Sequence, residues 1–289
     1  MRFCLERILR AGIVLLGIRL SLAQVGEIGL RSLPVIAGVV ATALVIVTFV
    51  SRRAGLSGRL GTLIAVGTSI CGATAIVATA PTILAKDDEV AYAVACVTLF
   101  GVIAMIIYPF AAHWIFAADA FRSGLFLGTS VHETAQVAGA GLVYEQYFGD
   151  PAALDTATVT KLMRNLCMLI VIPMMTILYH RKSTENDGIP PWWSMVPLFI
   201  IGFALMSLIR TVGDLGDMAF GMLQAEQWYA LVEVIKIIAE WCLAIAMAAV
   251  GLGTSIRNLL QIGLKPLGVG LFSAALVGLV SFSLITLLY

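Results

Sequence analysis

Two stretches of the chain place reactive residues in otherwise apolar surroundings. The first runs Gly67-Thr68-Ser69-Ile70-Cys71-Gly72 and continues to Ala78. The second runs Gly128-Thr129-Ser130-Val131-His132-Glu133 and continues through Gln136 to Gly139. Both read GTS, then a short insert, then TA-x-VA. Glycine lowers helix stability and lets the backbone bend, while Thr and Ser hydroxyls can satisfy the carbonyls that a break sets free. A half-helix starting at such a break offers unpaired N–H groups and a positive dipole end, which together make a seat for an anion. Polar, glycine-interrupted segments in corresponding positions are the pattern of transporters built from discontinuous helices. The second stretch adds His132, which titrates near neutrality, and Glu133, a carboxylate that is costly in a span unless paired or protonated.

Each feature has a plainer reading. Gly, Ala, Ser and Thr also let membrane helices pack closely. Repetition of the motif, with a His-Glu pair in its second copy, favours a site. A third GTS, Gly253-Thr254-Ser255 before Arg257, reads as a helix terminus. The His-Glu pair also invites comparison with zinc proteases, but HExxH needs a second His four residues on, and this chain has Gln136 there. No metal or cofactor is expected.

Lys161, Arg164 and Asn165 follow at i, i+3 and i+4 and share one helical face. That face can neutralise an anion or pair with Glu133; equally, the two cations can snorkel from a span end toward headgroups. Substrate contacts are therefore expected from Gly67, Thr68, Ser69, Cys71, Gly72, Gly128, Thr129, Ser130, Gln136, Arg164 and Asn165. His132, Glu133 and Lys161 are expected to couple an ion or proton. Elsewhere, Glu233, Lys236 and Glu240 are spaced to pair among themselves, Arg19 lies within the first span, and His113 and His180 sit at span ends.

The elements that carry these residues are set by composition. Of 289 residues, 60% are hydrophobic and 12% charged, and the mean hydropathy is +1.00. A soluble domain of this size could not hide so much apolar surface. A net charge of +1 gives no case for nucleic acid. The cysteines are scattered, without a CxxC pair. Apolar stretches near twenty residues fall at approximately 8–25, 34–50, 62–85, 90–112, 123–144, 158–179, 192–210, 231–252 and 266–289. The fold class is thus an all-α polytopic membrane protein of about nine segments in a single domain over 1–289. Two segments, 62–85 and 123–144, are discontinuous, and either cross the bilayer or turn back as hairpins.

Five ordered motifs carry a resemblance: GIVLLGIRLSL (12–22), VGTSICGATAIVATAP (66–81), GTSVHETAQVAGAG (128–141), TVTKLMRNLCMLIVIP (158–173) and AMAAVGLGTSIRNL (246–259). Together they resemble the YeiH-type sulfate exporter family, which is related to the cation–proton antiporters and bile-acid-type symporters. The resemblance implies a multi-pass protein of the bacterial inner membrane. It also implies that this chain, which begins close to the counterpart of Gly12, lacks segments that precede that point in other members.

The leading functional expectation is a secondary transporter of a small anion, a sulfur oxyanion or sulfonate, driven by an ion or proton gradient. It would be no enzyme, and its partners would be the substrate, the lipid bilayer and, as an open assembly, a second copy of itself. Alternatives are a membrane-embedded enzyme using His132 and Glu133 as acid and base, and a non-transporting sensor or assembly subunit. Basic residues orient the chain. If every segment crosses once, Arg7, Arg10, Arg52, Arg53, Arg59, Arg181 and Lys182 fall on one side, while the other collects Asp87, Asp88, Glu145 and Asp150. The N-terminus is then cytoplasmic and Tyr289 periplasmic. Reporter fusions should place the loops at 52–59 and 181–182 in the cytoplasm and the loop at Asp150 outside; a periplasmic signal at Arg53 would reverse the orientation.

Overall fold

Short capping signals set where many of the helices begin. A computed structural model of the chain describes residues 7–180, 198–215, 218–220, 222–253 and 264–289. Helix α1 spans Leu9–Leu16 and passes into a 3-10 turn, Gly17–Arg19. Helix α2 then covers Leu22–Arg53. It opens on a reciprocal cap, in which the Ser21 amide donates to Gln24 Oε1 at 2.9 Å and the Gln24 amide donates to Ser21 Oγ at 3.3 Å. Hydropathy separates 8–25 from 34–50 as two spans, but the first helix stops at Leu16 and a single helix of 32 residues runs through the polar stretch between them. Hydropathy reports lipid exposure, whereas helix continuity follows backbone propensity and caps.

The remaining helices are α3 (Gly58–Ser69), α4 (Ala73–Thr79), α5 (Asp87–Ile115), α6 (Ala120–Ser130), α7 (Thr134–Phe148), α8 (Ala152–Leu166) and α9 (Met168–His180). After these come α10 (Leu198–Gly213), a two-stranded hairpin of Met218–Ala219 with Leu223–Gln224, α11 (Ala225–Gly253) and α12 (Leu264–Leu288). Ser57 caps α3 by accepting from the Leu60 amide at 3.1 Å, and Asp119 caps α6 by accepting from the Arg122 amide at 2.9 Å. Among the described residues, four helical stretches are long and apolar enough to cross a membrane: Leu22–Arg53, Asp87–Ile115, Ala152–Met175 and Lys265–Leu288. The Arg181–Lys182 loop and the Thr254-Ser255 and Arg257 positions of the third GTS lie outside the described residues.

The chain divides into two compact units. Among the described residues, one unit holds 7–31 and 198–253. There α1 and its 3-10 turn pack on α10 and α11, and Ser207 Oγ donates to the Gly17 carbonyl at 2.9 Å, which also accepts from the Leu20 amide. Arg19 pairs with Glu240 at 3.2 Å, and Lys236 with Glu233 at 3.2 Å. The ladder expected along Glu233, Lys236 and Glu240 therefore divides, because the 3-10 turn after α1 brings a guanidinium within reach of Glu240.

The other unit holds 32–180 and 264–289 and contains both GTS motifs. Its tightest packing is α8 against α6. A Cβ at Gly124 would lie 2.5 Å from the Ala153 carbonyl oxygen, and one at Gly128 would lie 2.6 Å from Thr160 Cβ. This Gly-x-x-x-Gly face lets the two backbones approach closely. Small residues in the second motif thus serve packing as well as the break that follows. The close approach sets the long side chains of α8 beside the ends of α3 and α6.

Candidate functional site

Both motifs interrupt a helix at the same place. Helix α3 ends at Ser69 and α4 starts at Ala73; α6 ends at Ser130 and α7 starts at Thr134. Each first half therefore closes on the serine of its GTS. Gly72, at φ +67°, turns the first break, and a Cβ there would sit 2.5 Å from Glu133 Cγ. Only glycine meets both demands at once.

A helix that stops leaves its last carbonyls without partners. Here two side chains of α8 take them. Arg164 Nε donates to Ser69 O at 2.8 Å, Nη1 to Thr129 O at 2.7 Å and to Val131 O at 3.2 Å, and Nη2 to Thr68 O. Lys161 Nζ donates to Ile70 O at 2.9 Å, to Val131 O at 3.0 Å and to His132 O. Three carbonyls of each motif are held this way, and two pairs stand at matching positions: Thr68 with Thr129, and Ile70 with Val131. Neither cation is exposed to solvent, so neither snorkels to an interface.

Glu133 lies on the other side of this arrangement. Its Oε1 accepts from Thr98 Oγ1 of α5 at 2.7 Å, and its carboxylate takes the Ala73 amide at the head of α4. Its own amide donates to Gln136 Oε1 at 3.2 Å, while Gln136 Nε2 donates to the Thr98 carbonyl at 3.1 Å. Gly101 leaves the room on α5 that the Gln136 side chain fills. Among the described residues, Glu133 makes no ion pair with Lys161 or Arg164. The second motif thus reaches across to the first through its carboxylate, and α8 ties the two together through its cations.

The other expected site residues divide into two groups. Ser69 and Ser130 are fully buried, and their hydroxyls bond back to Val66 O at 3.1 Å and Phe126 O at 2.5 Å. Thr129 Oγ1 bonds to Leu125 O and to Ser281 Oγ, each at 2.6 Å. Cys71 turns toward α9, with Sγ 3.3 Å from Met168 Sδ. These side chains serve the local structure in this state. Asn165 and His132 are different. Asn165 Nδ2 donates to Thr134 Oγ1 at 3.2 Å, but among the described residues Asn165 Oδ1 and His132 Nδ1 are buried without a hydrogen-bond partner. Buried polar atoms left unpaired are uncommon and mark places where a structure forgoes stability for another end. The sequence reading missed Thr98, Gly101 and Thr134; a threonine and a glycine three residues apart in the apolar run of α5 were the available signal.

Among the described residues, no cluster of three His, Cys, Asp or Glu side chains could hold a metal ion. His113, expected at an interface, stacks on Phe148 at 3.6 Å between ring centres and reaches Tyr144 Oη at 3.2 Å.

Residues 1–270 match the family described as conserved hypothetical protein 698. The chain belongs to that family. A UPF0324 membrane protein of Streptococcus agalactiae is 33% identical over 282 residues, spanning 98% of this chain and 80% of that protein. Another, from Fusobacterium nucleatum, is 33% identical over 287 residues, spanning 98% and 82%. A third, from Chlorobaculum tepidum, is 31% identical over 272 residues, spanning 93% and 70%. No solved structure matches the chain. The relatives are named as membrane proteins, which together with four span-length apolar helices makes this a helical membrane protein. Those names give no substrate.

The clamp has a measurable cost of removal. Arg164→Ala strands carbonyls of both motifs in a dry interior and should lower stability by at least about 3 kcal/mol. Arg164→Lys should recover only part of this, because an ammonium lacks the fork that spans both breaks. Arg31→Ala, at an exposed position of α2, should stay within about 0.5 kcal/mol. Unfolding of the purified protein in detergent measures all three, and an Arg164→Ala loss no larger than the Arg31→Ala loss would contradict the clamp.

Proposed function

We propose that the protein is a secondary active transporter of a small anion, a sulfur oxyanion or sulfonate, working in the bacterial inner membrane. Its segments 62–85 and 123–144 act as two discontinuous membrane elements among about nine, with the N-terminus cytoplasmic. The observation that carries the reading is the pair of register-matched helix breaks, tied to each other by Lys161 and Arg164. Breaks at matching positions of a repeated motif are the architecture in which one seat is exposed alternately to two sides. A helical membrane protein has little other reason to maintain two such interruptions and place two buried cations on them. The resemblance to sulfate exporters agrees in class. Homodimer formation is compatible with this reading and is not required by it.

Glu133 is the coupling group in this proposal. It joins Thr98 on α5 to the head of α4, so a change in its charge bears on both breaks at once. Replacing Glu133 by Gln keeps size and polarity but removes the titrating group. Glu133→Gln should abolish proton-gradient-driven accumulation in proteoliposomes while equilibrium exchange persists within about threefold of wild type, the amide still accepting from Thr98. Normal accumulation by the variant would make Glu133 structural and move the coupling step elsewhere.

A further inference from the structure

We infer that the two motifs are re-entrant hairpins that enter the membrane from opposite faces and meet half-way, so that each face reaches the breaks past a different hairpin. Segments 62–85 and 123–144 that instead crossed the bilayer would have their two ends on opposite faces. Helix α5 sets the scale. Its 29 residues, Asp87–Ile115, extend about 43 Å at 1.5 Å per residue, enough to cross, and Gly101 stands at its middle. The first hairpin starts and finishes at the head of this helix. One oxygen of Glu89 accepts from Ser57 Oγ, just before α3, and the other accepts from the Lys86 amide at 3.0 Å, just after the α4 segment. A single carboxylate thus pins both ends of the segment together. Between them the chain comes level with Val97, whose methyls would lie 3.2 and 3.3 Å from a Cβ at Gly67 and at Gly72. Helix α3 therefore runs inward alongside α5, and α4 turns back.

The second hairpin starts and finishes at the other end of α5. On its inward half, Phe126 packs against Tyr108 and Phe116, with ring centres 5.1 and 5.8 Å apart. Its break lies near the middle of α5, where Glu133 meets Thr98 and Gln136 fills the room at Gly101. Its last turn is back at the far end, with Phe148 stacked on His113 and Tyr144 Oη 3.2 Å from His113 Nδ1. Helix α12 runs the same way as α5, with Gly270 against Phe100 and Gly278 against Tyr108, and ends where Arg122 donates to the Tyr289 carbonyl. The two tips meet under Lys161, which holds Ile70 of one and Val131 of the other. Backbone can turn at membrane depth where protein buries it and satisfies its polar groups.

The helix lengths agree. Helices α3, α4, α6 and α7 have 12, 7, 11 and 15 residues, so the longest extends about 23 Å, short of a hydrocarbon core of about 30 Å. The four stretches long enough to cross are all outside the hairpins. Basic residues do not discriminate, because hairpins only exchange Lys86 and Arg122 between faces. Separate access from each face is what alternating exposure of one seat requires. The hairpins themselves stand on the contacts along α5, so they and the transport reading can fail independently.

Single cysteines at four exposed positions, Arg53, Asp88, Ala117 and Ala152, test the arrangement in the full chain with its native cysteines replaced. A membrane-impermeant maleimide is applied to intact cells and to inside-out vesicles. Opposed hairpins require Arg53→Cys and Asp88→Cys to react from one side, and Ala117→Cys and Ala152→Cys from the other. Crossing segments would instead group Arg53→Cys with Ala117→Cys and Asp88→Cys with Ala152→Cys. Any grouping other than the first overturns the inference, whatever the protein transports. A second measurement does not depend on sidedness: a short bis-maleimide should join Ser57→Cys to Glu89→Cys within one chain. Crossing segments would hold those two residues about 30 Å apart, and failure to link them while both react singly would also overturn it.

Discussion

Two buried cations on one helix carry the backbone of two others. Lys161 and Arg164 extend from α8 and hold carbonyls at the ends of α3 and α6 and in the breaks that follow, three at each break. Without them each break would leave unpaired acceptors buried away from the surface. The cations in turn need negative partners. Each half-helix C-terminus contributes a dipole end of roughly −0.5 charge, and Glu133 lies in the same cluster. Two positive groups thus face two dipole ends and one carboxylate, so the set approaches neutrality without an ion pair.

Several features that look independent follow from that constraint. Helix α8 has to lie close to α6 for side chains to reach the break, and Gly124 and Gly128 provide that approach. Gly72 has to be glycine because its backbone is left-handed and Glu133 packs against it. Gln136 enters α5 through the space left at Gly101 and fixes the start of α7. The unpaired atoms of Asn165 and His132 are then the places where this otherwise satisfied network stays open.

Much of this was legible in the residues, and the reasons are specific. Helices α3 and α6 end on the serines of the repeated GTS, where glycine and hydroxyls in a long apolar run are expensive unless the backbone needs them. The spacing of Lys161, Arg164 and Asn165 placed them correctly on one face. Their partners were not legible. Backbone carbonyls have no sequence signature, so a search for the counter-charge pointed to a bound anion, to Glu133 or to headgroups, and the cations chose peptide oxygens. Thr98 was hidden for a similar reason: one threonine in an apolar helix is usually silent, and only packing shows that it faces a carboxylate. The division of 8–53 into helices escaped hydropathy, although the Ser21–Gln24 cap was present in the chain to be read. Glu240 went to Arg19 because pairing across helices depends on how they dock, which local spacing does not contain.

Amide hydrogen exchange tests the central claim most directly, with wild type compared with Arg164→Met, which keeps an unbranched apolar stem and removes every donor. If one side chain holds both breaks, exchange should accelerate together in 66–76 and in 127–137, two segments far apart in sequence, while the distal part of α12 keeps its wild-type protection. Unchanged exchange at both motifs, or acceleration confined to one of them, would contradict the account.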